Sequence, residues 1–193
     1  MTALIEIELK SVVDDIGARC ADVERAGGIL VFAGRLEDRR YDTRRRSLTS
    51  RDHVLRLRTY RDGSGSRAEM DWKGPTRLEG GYKLREELGT PVPDPDSLAV
   101  ILARLGYVVT TSIDREIIQY ELEGGVVRFE RYPRLDDLVE VEGTADQIER
   151  AIAVLGLPRE GFTTERLNEF ARRYEARTGL RAALSDEALQ KPR

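Results

Sequence analysis

Two Glu-x-Glu pairs carry the first chemical signal in this chain, Glu6 with Glu8 and Glu140 with Glu142. In extended backbone that spacing sets two carboxylates on one face, about 7 Å apart. Like charges so placed repel, more strongly in a confined site than in open water. A divalent cation relieves the repulsion, and hard carboxylate oxygens suit Mg2+ or Mn2+. Cations recur at the same spacing, as Arg56 with Arg58 and Lys83 with Arg85. A guanidinium fork meets two phosphate oxygens at once. Acidic pairs holding a metal, opposite rows of Arg and Lys, make a site for a polyphosphate. The chain has no Gly-rich phosphate loop, so a helix N-terminus is not the expected cradle.

The elements that must position these side chains are mostly strands. Residues 5–10 alternate strictly, with Ile5, Ile7 and Leu9 on one face and Glu6, Glu8 and Lys10 on the other. Similar alternation predicts strands over 53–60, 67–73, 81–90, 126–131 and 138–142. Longer ones are expected from Ile29 towards Tyr41 and over 110–122, the latter turning back at Glu123-Gly124-Gly125. Helices are expected at 12–26, stopped by Gly27-Gly28, and at 97–105, 145–155 and 164–177. Residues 1–181 read as a single domain, and 182–193 as a frayed tail of weak apolar content. Strands outnumber helices and hairpin connections dominate, which argues for an antiparallel α+β architecture. Strands with one apolar and one charged face suit an open sheet with one side in water. Eight candidate strands also suffice for a closed barrel. The sorting of charge by strand shifts weight away from the open sheet.

Composition narrows the function classes. Lys and Arg total 32 against 35 Asp and Glu, a formal charge of −3, which argues against general nucleic-acid binding. The single Cys20 rules out an intramolecular disulfide or a Cys-rich zinc site and fits a reducing cytoplasm. The single His53, between charged residues and a strand start, reads as a surface residue rather than a catalytic one. No apolar stretch has the length of a membrane span, and no apolar signal core opens the chain. Trp72 shares a face with Ala68 and Met70 and reads as core. Arg44-Arg45-Arg46 reads as a solvated or steering loop. Glu69 and Asp71 fit either the inner wall or cross-strand salt bridges.

Glu6-Ile7-Glu8-Leu9-Lys10 resembles the Glu-x-Glu-x-Lys signature of the CYTH family, the triphosphate tunnel metalloenzymes. Later motifs follow in the family's order. These are Asp38 with Tyr41-Asp42, Leu55-Arg56-Leu57-Arg58, Trp72-Lys73-Gly74-Pro75 and Arg85-Glu86-Glu87. Arg115, Phe129-Glu130 and Val139-Glu140-Val141-Glu142-Gly143 complete the match, over about residues 4–143. The resemblance implies an eight-stranded antiparallel barrel, open as a tunnel, with helices outside. It implies Mg2+ or Mn2+ on Glu6, Glu8, Glu130, Glu140 and Glu142. It implies phosphate binding by Arg56, Arg58, Lys73, Arg85, Arg115 and Arg128, with Lys10 positioning or activating the attacking group. Three positions depart from the family pattern. Glu130 stands for a common Asp, Gly89 for a common acid and Ile113 for a common basic residue. Arg128, on the face of Glu130, is a candidate replacement for that lost positive charge.

The implied substrate is a small molecule carrying a triphosphate: inorganic triphosphate, thiamine triphosphate or ATP. The leading expectation is metal-dependent hydrolysis of inorganic triphosphate or of a triphosphorylated organic substrate. The runner-up is class IV adenylate cyclase chemistry, giving cyclic AMP and pyrophosphate. A non-catalytic polyphosphate- or nucleotide-binding module is the third reading. No nucleic-acid or membrane partner is expected, and oligomeric state is left open, a homodimer being one option.

Overall fold

The computed structural model describes residues 4–190. The strands are β1 (Leu4–Val12), β2 (Ile29–Thr43), β3 (Val54–Asp62), β4 (Gly65–Lys73), β5 (Arg77–Glu79), β6 (Tyr82–Pro91), β7 (Tyr107–Leu122), β8 (Gly125–Arg131) and β9 (Leu138–Glu142). The helices are α1 (Ile16–Arg25), α2 (Pro95–Arg104), α3 (Ala145–Leu155), α4 (Leu167–Thr178) and α5 (Asp186–Gln190). The sheet runs β1-β9-β8-β7-β2-β3-β4-β6, and β6 pairs back onto β1, so the sheet closes into an eight-stranded antiparallel barrel. Helices lie outside it, as the sequence led us to expect.

Closure depends on β1, which pairs through Leu4–Glu8 with β6 and through Glu8–Val12 with β9. Glu8 stands at the crossing, opposite Lys83 on one side and Glu142 on the other. The short β5 was not expected. It pairs with β6 at Arg77↔Leu84, next after the β4 pair Lys73↔Glu87. It therefore resumes the β4 edge after Gly74-Pro75, where proline has no N–H to give a ladder.

The apolar strand faces point outward, under the helices. Leu9, Val127, Phe129, Val139 and Val141 pack against Val23 of α1 and Ile148 and Leu155 of α3. A second cluster places Leu102 of α2 on Leu57 and Ala68. The first helix is shorter than expected, because Asp15 caps it by accepting from Ala18 N and leaves Val12 in β1. Helix α3 keeps its expected bounds, set by a Thr144–Gln147 capping box and by Gly156 at a φ of 61°.

The lumen is not charged throughout. Leu36, Tyr60 and Ile117 lie on the same strand faces as Asp38, Arg58 and Arg115, and they pack together, nearly fully buried. They fill one end of the barrel with apolar side chains. At the other end Phe170 of α4 packs with Ile113, Tyr132 and Leu138.

The tail is not frayed over 182–190. Ala183 exchanges backbone hydrogen bonds with Arg134 at 2.8 and 3.0 Å, and Leu184 O accepts from Asp114 N at 2.8 Å. Asp186 N donates to Asp114 Oδ2, and Ala183 is wholly buried. Few apolar residues hide this anchoring in the sequence, because backbone groups do most of it. Residues 191–193 lie outside the described part. Among the described residues no helix is long and apolar enough to cross a membrane.

Candidate functional site

Alternation in the eight strands turns Glu6, Glu8 and Lys10 of β1, Glu140 and Glu142 of β9, and Arg128 and Glu130 of β8 into the barrel. Carboxylate oxygens of Glu6, Glu8 and Glu142 all lie within 4.8 Å of one another, a geometry able to hold a metal ion. The donor chemistry fits a hard divalent cation. Burial pushes the Glu142 carboxyl up to about 8, against the pull of Arg128 and with help from the like charges of Glu140 and Glu6. A divalent cation bound there would favour the ionised form of all three carboxyls.

Glu130 and Glu140 are engaged differently. Lys10 Nζ lies 2.8 Å from Glu130 and 2.7 Å from Glu140. Glu130 also accepts from Arg115 Nε at 2.9 Å and from the Tyr132 hydroxyl at 2.8 Å. Arg128 reaches Glu140 at 2.6 Å and Glu142 at 3.0 Å. Burial alone would lower the Lys10 pKa, but Glu130 and Glu140 outweigh it and raise it well above the usual lysine value. Burial likewise opposes the charge on Glu140, yet Lys10 and Arg128 hold it well below the usual carboxylate range. The five acids named from the sequence thus divide into a triad, Glu6, Glu8 and Glu142, and a pair, Glu130 and Glu140, held by Lys10.

The opposite wall is cationic. Arg56 is paired with Asp71, and also with Asp38 and Glu87, each at 3.4 Å. Arg58 lies 2.7 Å from Asp71. Lys73 is paired with Glu6 and Lys83 with Glu8, so two lysines reach across to the acidic triad. Asp71 is therefore an inner-wall residue, while Glu69 pairs with Arg67 at 3.2 Å. Arg85 stands apart from the other cations. Its guanidinium donates to the carbonyls of Gly74 and Asp52, each at 2.7 Å, and so ties the β4–β5 break to the chain before β3.

A cavity of about 330 Å³ opens among these groups. Lys10, Arg56, Lys73, Arg85, Arg115 and Arg128 line it, with Glu8 and Glu140. Arg58, Glu6, Glu130 and Glu142 are not among the lining residues. The mouth is built by a loop that Asp42 organises. Its carboxylate accepts from Leu48 N and Thr49 N, both at 2.9 Å, and from the Thr49 hydroxyl at 2.7 Å. Those bonds outweigh burial and hold Asp42 down to about 2. The loop brings Arg46 to the cavity rim, the one member of the Arg-rich run that lines it. His53 also lines the cavity, with its ring 5.2 Å from Trp72, so it is not the plain surface residue the sequence suggested. Arg40, which sequence reasoning passed over, lines the mouth as well. Its signal was the alternation Asp38-x-Arg40, in phase with the inward face of β2.

The CYTH domain family matches residues 4–176 of this architecture. The chain belongs to the CYTH family. Solved structures of similar fold include a Vibrio parahaemolyticus protein provisionally assigned as an adenylate cyclase. It is 20% identical, with a TM-score of 0.74, over 88% of this chain and 98% of that one. The PH1819 protein of Pyrococcus horikoshii OT3 is 22% identical, with a TM-score of 0.70, over 87% and 98%. HpAC1 from Hippeastrum, provisionally assigned as an adenylyl cyclase, has a dominant triphosphatase activity. It is 18% identical, with a TM-score of 0.62, over 93% and 99%. At these identities the likeness is one of CYTH fold. A search of curated protein sequences finds no match.

Proposed function

We propose that this CYTH chain is a metal-dependent triphosphatase, hydrolysing inorganic triphosphate or a triphosphorylated organic substrate inside the barrel. The observation that carries the reading is the triad of Glu6, Glu8 and Glu142 within 4.8 Å, facing a wall of arginines and lysines across one lumen. The triphosphatase activity of HpAC1, on the same fold, supports hydrolysis over cyclisation.

Glu6, Glu8 and Glu142 would hold Mg2+ or Mn2+, with Glu130 and Glu140 as supports rather than ligands. A bound ion of this kind neutralises phosphoryl oxygens and lowers the pKa of water. Arg56, Lys73, Arg115 and Arg128, which line the cavity, receive the phosphate oxygens, and Arg58 stands beside Arg56 on their shared Asp71. Each is already oriented by a carboxylate, so little reorganisation is needed when charge develops on the transferring group. Arg85 contributes by fixing the loops around the cavity. Lys10 stays protonated, since its two carboxylates lie outside the metal triad and metal binding leaves them in place. It acts as a fixed cation that orients the terminal phosphoryl group.

A product assay tests the reaction. With Mg2+ or Mn2+, inorganic triphosphate should give phosphate and pyrophosphate, and ATP should give no cyclic AMP. Cyclic AMP as the main product from ATP would replace hydrolysis with cyclisation. Tight triphosphate binding without any product would leave only a binding module.

A further inference from the structure

Arg40 has no place in the site as described so far. It lies on the inner face of β2, two residues beyond Asp38 and four beyond Leu36. Leu36 marks the apolar end of the lumen, so the order Leu36, Asp38, Arg40 runs outward to the mouth. Arg40 stands directly opposite Arg56 across the β2–β3 ladder and opposite Thr111 across the β2–β7 ladder. Like charges directly opposed destabilise a sheet. Arg56 is satisfied by three carboxylates, and Arg40 by none. Its nearest acid, Asp38, is 3.9 Å away, beyond hydrogen bonding, and the buried Arg40 Nε has no hydrogen-bond partner. Burial, against the pull of Asp38 and with the repulsion of Arg56 and Arg115, makes its charged form less favourable than usual.

The surroundings say what would satisfy it. Arg46, Thr110, Thr111 and Asn168 line the same cavity, as do the acids Asp52 and Glu165. Arg46 is exposed and has no ion pair among the described residues. Arg166 is different, since it is held to Asp52 at 2.9 Å. The cavity thus carries Arg40, Arg46 and two threonine hydroxyls besides the inner phosphate-binding residues. The Arg40 side chain is 36% exposed and its Nε lacks a partner, so an anionic group that meets it gains a charge-assisted hydrogen bond that a neutral base or sugar does not.

We propose that Arg40 heads an additional anion subsite at the tunnel mouth, one that takes a further phosphoryl group of a linear phosphate chain longer than three. This rests on the triphosphate reading of the inner cavity. It makes the preferred substrate an inorganic oligophosphate rather than a nucleoside triphosphate.

Thermal-shift titrations with inorganic triphosphate, inorganic tetraphosphate and ATP, at matched excess of free Mg2+, give apparent affinities for each. Wild type should bind tetraphosphate about tenfold more tightly than triphosphate, as expected for one added charge-assisted contact. ATP should show no such gain. Arg40→Gln should bring the two inorganic affinities together, and Arg40→Lys, which keeps the charge, should restore part of the difference. The KM ratio of the two inorganic substrates should follow the same pattern. Equal affinities in wild type, an equal gain with ATP, or a preference that survives Arg40→Gln would overturn the subsite and leave the triphosphatase reading intact. Failure of triphosphate to shift wild type at all would remove both.

Discussion

Lys10 faces Glu140 directly across the β1–β9 ladder, and its ammonium group sits 2.7 Å from the Glu140 carboxylate. With Glu130 at 2.8 Å, that contact decides what Lys10 can do. A lysine can serve as a general base only when its pKa is brought down, and here two buried carboxylates raise it. Lys10→Arg, which keeps the charge without offering a base, should bind triphosphate nearly as well as wild type. It should keep turnover within about tenfold, with an unaltered basic limb in the pH–rate profile. A fall of about 10²-fold or more, with that limb displaced, would restore Lys10 as the base.

Glu142 links stability to pH and metal. Burial pushes its carboxyl up to about 8 in the folded chain, from an ordinary 4.5. The folded state therefore keeps a proton that the unfolded state releases. This contribution is full below the unfolded pKa and is lost as pH rises through the folded one. Metal-free protein should lose melting temperature steadily between pH 5 and 8. Mg2+ or Mn2+ should raise the melting temperature more at pH 8 than at pH 5, because the metal competes with that proton. Glu142→Gln should flatten both dependences. A melting temperature that rises over this window without metal would contradict the assignment.

Much of this site was legible in the sequence, because strand alternation alone tells which residues share a face. Glu6 with Glu8 and Arg56 with Arg58 required nothing more. Which faces meet was not legible. Glu142 joins Glu6 and Glu8 because β9 pairs with β1 in one register, and a slip of one residue would have turned it outward. The same register, not any local motif, gives Lys10 to Glu140. The anchoring of Arg85 on the Gly74 and Asp52 carbonyls was hidden, since backbone acceptors leave no mark in side-chain identity. Arg40 was overlooked because it sits between two motif positions, and the Arg40–Arg56 opposition exists only once β2 and β3 are paired.

The tail offers a structural prediction. Truncation after Arg181 removes three backbone hydrogen bonds to Arg134 and Asp114, and the contact of Asp186 N with Asp114 Oδ2. At roughly 1 kcal/mol for each such bond, chemical denaturation should show a loss of about 3 kcal/mol or more. An unchanged unfolding midpoint would mean that this segment contributes nothing to the fold.

The most direct test is the Mn2+ dependence of phosphate release from inorganic triphosphate in wild type, Glu142→Gln and Glu130→Gln. Wild type should be inactive in excess chelator and recover as Mn2+ is added. Glu142→Gln should need about tenfold more Mn2+ or higher for half-maximal rate, because it loses a charged ligand. Glu130→Gln should lower stability and turnover, since it strips Lys10 and Arg115 of a buried partner, and yet keep the wild-type Mn2+ midpoint. Full activity in chelator, or a Glu142→Gln midpoint equal to that of wild type, would contradict a metal held by Glu6, Glu8 and Glu142.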